Sequence, residues 1–429
     1  MMQTNEAWTP SSWRCYPIAQ QPQYTNKEEL EAALGKLREL PPLVSREEVD
    51  DLQQKLQLVQ EGKAFVIQCG DCAEAFDGCN TDLIQRKAAL YEILGKIVEE
   101  VLNIPVVVIG RIAGQYAKPR SDDFEMVKGE KVPVFRGEIV NSFDISKRNP
   151  DPNRLIEAYF RSAATLNLLR QKPEVGSATK TIIRDLIESG ITENEATSEK
   201  FKKFEPAISR AKFENFYSSH EALLLNYEEC LTRRFDDDKY YALSAPFLWI
   251  GERTRNVKDA HLDFASGIAN PIGIKISDKI TPEDLVSVIR KLNPDNEPGK
   301  LTLITRFGAS KAEKALPPLI EAVKVNKLNV LWFADVVHGN TVKVEGIKTR
   351  FYDDLKKELL VVATLLKEQG LRLNGIHLEV TPDNVTECMG GHCKKIDKED
   401  LPKNYTSLCD PRLNMIQSIE LLMDVAPSL

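Results

Sequence analysis

The sequence predicts an α/β fold in which eight parallel strands close into a barrel surrounded by helices. Eight short apolar runs occur along the chain, and amphipathic helical stretches separate most of them. The runs are almost continuously apolar, as are strands that are buried on both faces of a parallel sheet. Strands and helices that alternate eight times favour a closed barrel over an open sheet.

An N-terminal extension, residues 1–62, precedes the barrel and is expected to contain one helix. Ser45 and Glu48 have the spacing of a capping box, which satisfies free backbone N–H groups at a helix start. Four apolar residues follow at helical spacing: Val49, Leu52, Leu56 and Val59. Residues 63–429 are then expected to form the catalytic barrel domain.

The eight apolar runs are the predicted barrel strands. In chain order they occupy residues 65–71, 104–113, 134–140, 247–254, 271–277, 301–308, 329–339 and 373–381. A long stretch rich in Glu, Lys and Ala separates the third run from the fourth and contains several helical patterns. We therefore predict a helical insertion at about residues 142–245, after strand 3.

Composition excludes several classes of protein. The 429 residues include 57 Lys and Arg against 64 Asp and Glu, and the net charge of -7 argues against a nucleic-acid partner. No apolar stretch approaches the roughly 18 residues of a membrane span. The first twenty residues lack a basic cluster followed by an apolar run, so a cytoplasmic location without a membrane partner is expected.

Polar residues end the predicted strands, where the active sites of such barrels lie. They are Asp71, Cys72, Arg111, Glu138, Asn141, Glu252, Arg253, Lys275, Arg306, Asp335, His338, His377 and Glu379. Charges near a barrel rim are costly to bury unless they are paired or bind a ligand. We interpret the set as a ligand site, although single members have a structural alternative, such as an ion pair between Glu252 and Arg253.

Six cations among or near these residues indicate an anionic, phosphorylated substrate, because Arg and Lys bind phosphate and carboxylate oxygens. They are Arg111, Lys118, Arg120, Arg253, Lys275 and Arg306. The loop 110–123 combines three of them with Ser121 and with glycines that allow close backbone approach. A phosphate clamp is the functional interpretation of this loop, and a solvated surface loop is the alternative.

A second group of residues suggests a metal site. Cys72, His338, Glu379 and Asp410 offer a thiolate, an imidazole and two carboxylates, a mixture that suits a divalent transition metal. The alternative for His338 is a structural histidine with satisfied hydrogen bonds.

Two other cysteine patterns also have structural alternatives. Cys69 and Cys72 form a CxxC pattern, but Cys69 lies inside a predicted strand, which argues against a redox pair. Cys388, His392 and Cys393 could suggest zinc, but without a second cysteine pair the segment is better interpreted as a turn.

Eleven segments in order carry a resemblance to a known family. They are GDCAEAF, GRIAGQYAKPRS, FRGEIVN, WIGERTR, NPIGIKIS, TRFG, HGNT, KTRFYDD, GIHLEVT, NVTECMGG and CDPRLN. From about Trp13 to the C-terminus, the chain resembles the type II (plant-like) 3-deoxy-D-arabino-heptulosonate 7-phosphate (DAHP) synthases. The resemblance implies a metal-dependent (β/α)8 TIM barrel that condenses phosphoenolpyruvate with erythrose 4-phosphate and releases phosphate. This reaction is the first step of the shikimate pathway to chorismate and the aromatic amino acids.

The resemblance also implies roles for individual residues. A divalent ion, manganese or cobalt, would be held by Cys72, His338, Glu379 and Asp410. The phosphoenolpyruvate site would comprise Arg111, Lys118, Trp249, Glu252, Arg253, Lys275 and Arg306. The aldose phosphate would meet Lys118, Arg120 and Ser121. The candidates for catalytic proton transfer are Lys275, His338 and Glu252. A homo-oligomer, either a dimer or a tetramer, and chorismate mutase as a candidate partner complete the expectations.

Three alternatives to this function stay open. The segment 168–216 is shorter than in the family, where this region binds aromatic inhibitors, so a paralogue of secondary metabolism that uses a related aldose or amino sugar phosphate is one of them. A non-catalytic regulatory paralogue would be expected to lose a metal ligand or a phosphate-binding Arg, and none is lost. An unrelated barrel aldolase would use Lys275 to form a Schiff base.

Overall fold

A computed structural model describes residues 7–127, 129–171, 176–191, 195–211, 213 and 216–429. Within them, eight parallel strands close a barrel, which confirms the predicted fold class. The barrel strands are β1 (Phe65–Gly70), β2 (Val106–Arg111), β5 (Phe216–Glu221), β8 (Phe247–Ile250), β9 (Ile272–Ile276), β10 (Leu301–Thr305), β11 (Leu331–Asp335) and β14 (Gly375–Glu379). The ring closes where β1 pairs with β14, with Gly70 opposite Glu379.

Three short hairpins decorate the barrel. They are β3 (Phe124–Val127) with β4 (Glu130–Pro133), β6 (Thr232–Arg234) with β7 (Tyr240–Ala242), and β12 (Val342–Val344) with β13 (Ile347–Thr349). The first and third contribute residues to the C-terminal mouth of the barrel, where Phe124 and Lys343 line the same cavity.

Twelve helices complete the described part of the chain. They are α1 (Lys27–Glu39), α2 (Arg46–Gln60), α3 (Thr81–Leu102), α4 (Asn153–Arg170), α5 (Gly176–Glu188), α6 (Glu195–Ser209), α7 (Leu225–Cys230), α8 (Ala260–Ser266), α9 (Pro282–Leu292), α10 (Ala312–Val325), α11 (Tyr352–Glu368) and α12 (Met415–Val425). In the described part of the chain, no helix has both the length and the apolar character needed to cross a lipid bilayer.

Helix α2 closes the N-terminal end of the barrel. It starts at the predicted capping box of Ser45 and Glu48. Leu52, Leu56 and Val59 are fully buried and belong to one apolar cluster with side chains of the barrel interior. The cluster also contains Val66, Val107, Ile109, Phe247, Leu331 and Phe333. Because the interior is filled from this end, a ligand reaches the barrel only from the opposite mouth.

The prediction of a third barrel strand at residues 134–140 is wrong. This segment is a loop, and its conformation depends on Gly137, which has a φ of +97° and lies against the carbonyl oxygen of Tyr116. The side chain of Asn141 accepts a hydrogen bond from the backbone N–H of Arg136 (2.9 Å) and donates one to the carbonyl oxygen of Val134 (3.0 Å). These contacts fold the segment back on itself and prevent it from pairing as a strand.

Strand β5 takes the third position in the barrel, between β2 and β8. Its sequence FYSSHE is mostly polar and therefore lacks the apolar signal of the other strands. Helices α4, α5 and α6 consequently lie between the second and third barrel strands, and not after the third strand as predicted. The real third strand lies inside the predicted insertion of residues 142–245.

Candidate functional site

A cavity of about 500 Å³ opens at the C-terminal mouth of the barrel, because successive parallel strands deliver their last residues to this end. All predicted substrate-binding residues line it: Arg111, Lys118, Arg120, Ser121, Trp249, Glu252, Arg253, Lys275 and Arg306. His338 and Asp410 line it as well, and Cys72 and Glu379 are buried directly behind. Glu138 and Asn141 are outside this lining, since the loop that carries them is not a barrel strand.

The cations of the cavity form two groups that differ in their partners. In the first group, Arg111 pairs with Glu379 (3.0 Å), Lys118 and Lys348 pair with Asp410 (2.8 and 2.9 Å), and Lys275 pairs with Asp335. In the second group, no carboxylate lies within ion-pair distance among the described residues. Its members are Arg120, Arg253, Arg306 and Lys343. Four positive charges without an acidic partner around one cavity make it a binding site for anions.

Arg253 does not form the predicted alternative ion pair with Glu252. Glu252 instead accepts hydrogen bonds from Arg255 (2.8 Å) and from the hydroxyl of Ser277 (2.8 Å). Arg253 donates to the hydroxyl of Ser121 (3.0 Å), which belongs to the predicted phosphate clamp. The guanidinium of Arg253 thereby stays available to an anion at the clamp.

The four predicted metal ligands form two close pairs at the cavity wall. His338 Nε2 lies 3.0 Å from Glu379 Oε1, and Cys72 Sγ lies 3.8 Å from Asp410 Oδ2. The ammonium group of Lys118 connects the two pairs, since its Nζ lies 2.9 Å from Cys72 Sγ and 3.8 Å from Glu379 Oε1. One sulfur, one nitrogen and two oxygens around a cationic group form a donor set that fits a divalent transition metal.

Asp335 fixes the orientation of His338. Its Oδ2 lies 2.8 Å from His338 Nδ1, and its Oδ1 accepts backbone N–H groups of Val337 and His338, both at 3.1 Å. When Nδ1 donates a hydrogen bond to this carboxylate, Nε2 is the ring nitrogen that faces Glu379. A histidine held in this way is typical of metal sites.

Asp335, His338 and His377 form a second group that could hold a metal ion, with ligand atoms within 4.8 Å of one another. However, His377 Nε2 lies 2.8 Å from Arg111 Nη1 and 3.0 Å from Lys275 Nζ. Burial and the charge of Lys275 hold the pKa of His377 well below its usual value. Cations thus contact this group, as Lys118 contacts Cys72 and Asp410 in the first group, and both groups contain His338.

Charge compensation keeps Glu379 ionised although it is fully buried. Burial alone would raise its pKa, but His338, Lys118 and Arg350 together hold this pKa well below its usual value. Burial lowers the pKa of Lys275 to about 8, against the opposing effect of Asp335. The cavity therefore contains an anionic ligand group and a lysine that can exchange its proton near neutral pH.

Glu221, the last residue of β5, is a site residue that the sequence did not reveal. It lines the cavity, and its Oε1 is a buried atom without a hydrogen-bond partner among the described residues, as is Glu252 Oε2. Burial raises the pKa of Glu221 above its usual value. The segment SSHE ends at Glu221, and an apolar run, residues 222–225, follows at once. This change from polar to apolar residues was the signal that could have identified Glu221.

The other cysteine patterns have structural roles. Cys69 is buried in the apolar core and burial raises the pKa of its thiol, so it is not poised for redox chemistry with Cys72. Glu420 accepts the backbone N–H groups of His392 (3.1 Å) and Cys393 (2.7 Å). Gly390 forms an antiparallel bridge with Ile396, so the segment that contains His392 and Cys393 turns back on itself.

Comparison with known proteins gives the same match over almost the whole chain. The sequence model of the Class-II DAHP synthetase family matches residues 8–426. A Neurospora crassa protein named phospho-2-dehydro-3-deoxyheptonate aldolase is 43% identical, over 98% of this chain and 94% of its own length. A Streptomyces coelicolor protein of the same name is 41% identical, over 99% of both chains.

Proposed function

The chain belongs to the Class-II DAHP synthetase family, and from this premise we propose how the cavity at the barrel mouth performs the family reaction. The activity is that of a 3-deoxy-7-phosphoheptulonate synthase, a transferase of the shikimate pathway. It joins phosphoenolpyruvate to D-erythrose 4-phosphate and water, and gives DAHP and inorganic phosphate. The observation that supports this assignment most strongly is the presence of four metal-type ligands, in two close pairs, beside four cations that have no acidic partner among the described residues.

The two substrates carry two phosphates, and the cations of the cavity can divide between them. Arg253, Arg306 and Lys275 bind phosphoenolpyruvate, with Arg111, Trp249 and Glu252 completing its site. Lys118, Arg120 and Ser121 bind the phosphate of the aldose. Arg111 contributes mainly by position, because it donates to His377, to Glu379 and to the carbonyl oxygens of Asp71 and Cys72, and it stacks on Trp249.

Cys72, His338, Glu379 and Asp410 hold the divalent ion, for which manganese and cobalt are the candidates. When bound, the ion supplies Lewis-acid polarisation of the aldehyde carbonyl of erythrose 4-phosphate. Lys118 competes with a divalent cation for Cys72 and Asp410, and an anionic substrate offers its ammonium group another partner. Substrate phosphate and metal ion thus favour each other at this site.

The reaction forms one carbon–carbon bond and breaks one phosphate ester. C3 of phosphoenolpyruvate attacks the aldehyde carbon, whose oxygen gains a proton, and water adds to C2 before phosphate leaves. Lys275 is one candidate proton donor, because its lowered pKa lets it exchange a proton near neutral pH, and His338 at the cavity is the other candidate. Glu252 and Glu221 are the candidate acceptors of the water proton, because each has a buried oxygen without a partner.

Neither a silent paralogue nor a Schiff-base aldolase is favoured by the site. Every predicted ligand and phosphate-binding Arg is present in the sequence, and all of them except the buried Cys72 and Glu379 line the cavity. Lys275 is engaged by Asp335 and His377, which leaves its amine little freedom to attack a carbonyl. The homo-oligomer, the chorismate mutase partner and the cytoplasmic location stay predictions, as does the division at residue 62.

The test of the function is a metal-dependent assay. Purified enzyme stripped with EDTA should release phosphate from phosphoenolpyruvate only when erythrose 4-phosphate and Mn²⁺ or Co²⁺ are both supplied. Other aldose phosphates and an amino sugar phosphate, tested in parallel, would reveal the alternative acceptor. Borohydride added with substrate should leave Lys275 unmodified.

Cys72→Ser should weaken Mn²⁺ binding and reduce turnover at limiting Mn²⁺ by at least tenfold, because serine replaces the thiolate with a poorly ionised hydroxyl. Cys69→Ser is the matched control, since this thiol lies in the core and outside the site. Isothermal titration with Mn²⁺ and the initial rate measure the two effects. Equal Mn²⁺ affinity of Cys72→Ser and the wild type would contradict the ligand set.

A further inference from the structure

Arg350 is a fully buried arginine directly after strand β13, and the family assignment above gives it no role. Its guanidinium donates three hydrogen bonds. Nη2 donates to Glu379 Oε2 (2.7 Å), Nε donates to the hydroxyl of Thr341 (3.1 Å), and Nη1 donates to the carbonyl oxygen of Pro411. A planar group with fixed donor directions thus joins three separate segments of the chain.

Each of the three segments carries a proposed metal ligand. Glu379 is itself a ligand, and Pro411 directly follows Asp410 in the chain. The hydroxyl of Thr341 donates in turn to the carbonyl oxygen of Val337 (3.4 Å), the residue before His338. Through one side chain, the structure therefore connects the carboxylate of β14, the loop of Asp410 and the loop of His338.

The contact with Glu379 also determines which of its oxygens can bind a metal ion. Arg350 occupies Oε2, whereas Oε1 accepts Arg111 Nη2 at 3.0 Å and faces His338 Nε2 at 3.0 Å and Lys118 Nζ at 3.8 Å, on the side of the cavity. A carboxylate held by one oxygen keeps the other in a defined direction, as outer partners of metal ligands commonly do.

The backbone around Arg350 is itself fixed by the segment that first suggested a zinc site. The backbone N–H of Met389 donates to the carbonyl oxygen of Arg350 (2.8 Å), and the hydroxyl of Thr349 donates to the carbonyl oxygen of Glu387 (2.9 Å). The carboxylate of Glu387 accepts the backbone N–H of Ser407 (2.7 Å), close to Asp410. The segment around Glu387 thus supports both Arg350 and the loop that it contacts.

We propose that Arg350 is a positioning residue that holds Glu379, the His338 loop and the Asp410 loop in the arrangement required to bind the divalent ion. This proposal rests on the metal site proposed above. It explains why an arginine is buried where no substrate reaches it, since a buried charge is retained only with good partners or a specific use.

Arg350→Met and Arg350→Lys test the proposal by Mn²⁺ binding in the absence of substrates. Titration of metal-free enzyme with Mn²⁺, followed by the electron paramagnetic resonance of the free ion, should give an affinity about 10- to 100-fold weaker for both variants. Lysine should not rescue binding, because one ammonium group cannot reach three acceptors in three directions. Saturating Mn²⁺ should restore much of kcat, since Arg350 does not touch substrate.

Arg233→Met is the matched control. Arg233 donates to the carbonyl oxygens of Cys230 (2.6 Å), Arg38 (3.1 Å) and Leu40 (3.2 Å), all away from the cavity. Its loss should lower the unfolding temperature and leave Mn²⁺ affinity unchanged. An equal loss of Mn²⁺ affinity in Arg233→Met would overturn the proposal, because it would reveal a general effect of instability.

If either folded Arg350 variant binds Mn²⁺ with an affinity within twofold of the wild type, that result would also overturn the proposed positioning role of Arg350. If Arg350→Met fails to fold, Thr341→Val removes one of the three contacts and keeps the charge, and wild-type affinity in that variant would then overturn the proposal. A wild type that binds one Mn²⁺ but releases no phosphate from the two substrates would refute the proposed function while leaving the role of Arg350 intact. A wild type that binds no Mn²⁺ would refute both.

Discussion

At the scale of single residues, neighbouring charges of opposite sign determine the pKa of side chains in the cavity, and Lys275 is the example. Lys275 is buried beside Arg111 and Arg306, which favour its neutral form, and beside Asp335, which favours its charged form. The outcome is a pKa of about 8, between that of a free lysine and that of a fully desolvated one. The charge that Lys275 offers to phosphoenolpyruvate is therefore sensitive to pH in the physiological range.

We expect kcat/KM for phosphoenolpyruvate to fall as the pH rises through about 8, because Lys275 loses its proton there in the free enzyme. Asp335→Asn removes the negative charge that stabilises the protonated form of Lys275. The descending limb of the pH profile of kcat/KM should therefore move to lower pH by about 1 to 3 units. The pH profile of kcat/KM measures this shift.

Asp82→Asn is the control for the pH profile, since Asp82 is exposed on α3 and pairs with Arg86. Its profile should match that of the wild type. A limb that stays in place in Asp335→Asn would show that Lys275 does not cause it.

The sequence revealed those site residues that end an apolar strand, and it missed those that depend on contacts distant in the chain. Lys275 and Arg306 could be identified because each ends a clear strand pattern and strand ends converge. Glu221 was missed because its strand is polar. Arg350 was missed because its three hydrogen-bond partners lie in different segments of the sequence, which come together only in the folded chain.

At the scale of elements, the loop 134–140 shows how local geometry overrides an apolar pattern. The backbone N–H of Lys118 donates to the carbonyl oxygen of Arg136 (2.9 Å), so this loop supports the segment that carries the phosphate clamp. Apolar periodicity could predict that residues 134–140 are buried, but not that they turn at Gly137. The number of barrel strands was predicted correctly, but the third of them was placed at the wrong residues.

Gly137→Ala should lower kcat/KM for both substrates by tenfold or more. A Cβ at this position would lie 1.9 Å from the carbonyl oxygen of Tyr116, in a backbone conformation with φ of +97°, so the clamp segment must move. A displacement of about 1 Å in a substrate-positioning group can cost about 100-fold in rate. Steady-state kinetics with each substrate varied in turn measure the effect.

Gly129→Ala serves as the comparison for Gly137→Ala. Gly129 also has a positive φ, +86°, but a Cβ there meets no atom within 4 Å. Backbone strain alone would affect both variants, whereas displacement of the clamp would affect Gly137→Ala only. Equal kinetic losses in the two variants would reject the role of the loop contact.

At the scale of the whole molecule, the two ends of the barrel have different tasks. The N-terminal end is filled by α2 and supplies stability, whereas the C-terminal end collects the polar residues. Helix α2 itself could be predicted from the sequence, since its capping box and apolar spacing are local signals. The position of α2 under the barrel could not, because it depends on tertiary packing.

Leu56→Ala should lower the free energy of unfolding by about 2 to 5 kcal/mol, because it leaves a cavity where α2 fills the N-terminal end of the barrel, here called the plug. Leu58→Ala, on the same helix but 43% exposed, should change it by no more than about 0.5 kcal/mol. Urea denaturation measures both values. The activity of folded Leu56→Ala should stay close to that of the wild type, and a selective loss of activity would contradict a purely stabilising role of the plug.

The pairing of the first strand with the last has a consequence for biosynthesis. Cys72 and Asp410, 338 positions apart, meet at one point only because β1 and β14 seal the ring. A nascent polypeptide that has not yet reached Asp410 lacks one of the proposed ligands, although Cys72 was translated 338 positions earlier. The complete ligand set can therefore assemble only after β14 and the loop of Asp410 have been translated.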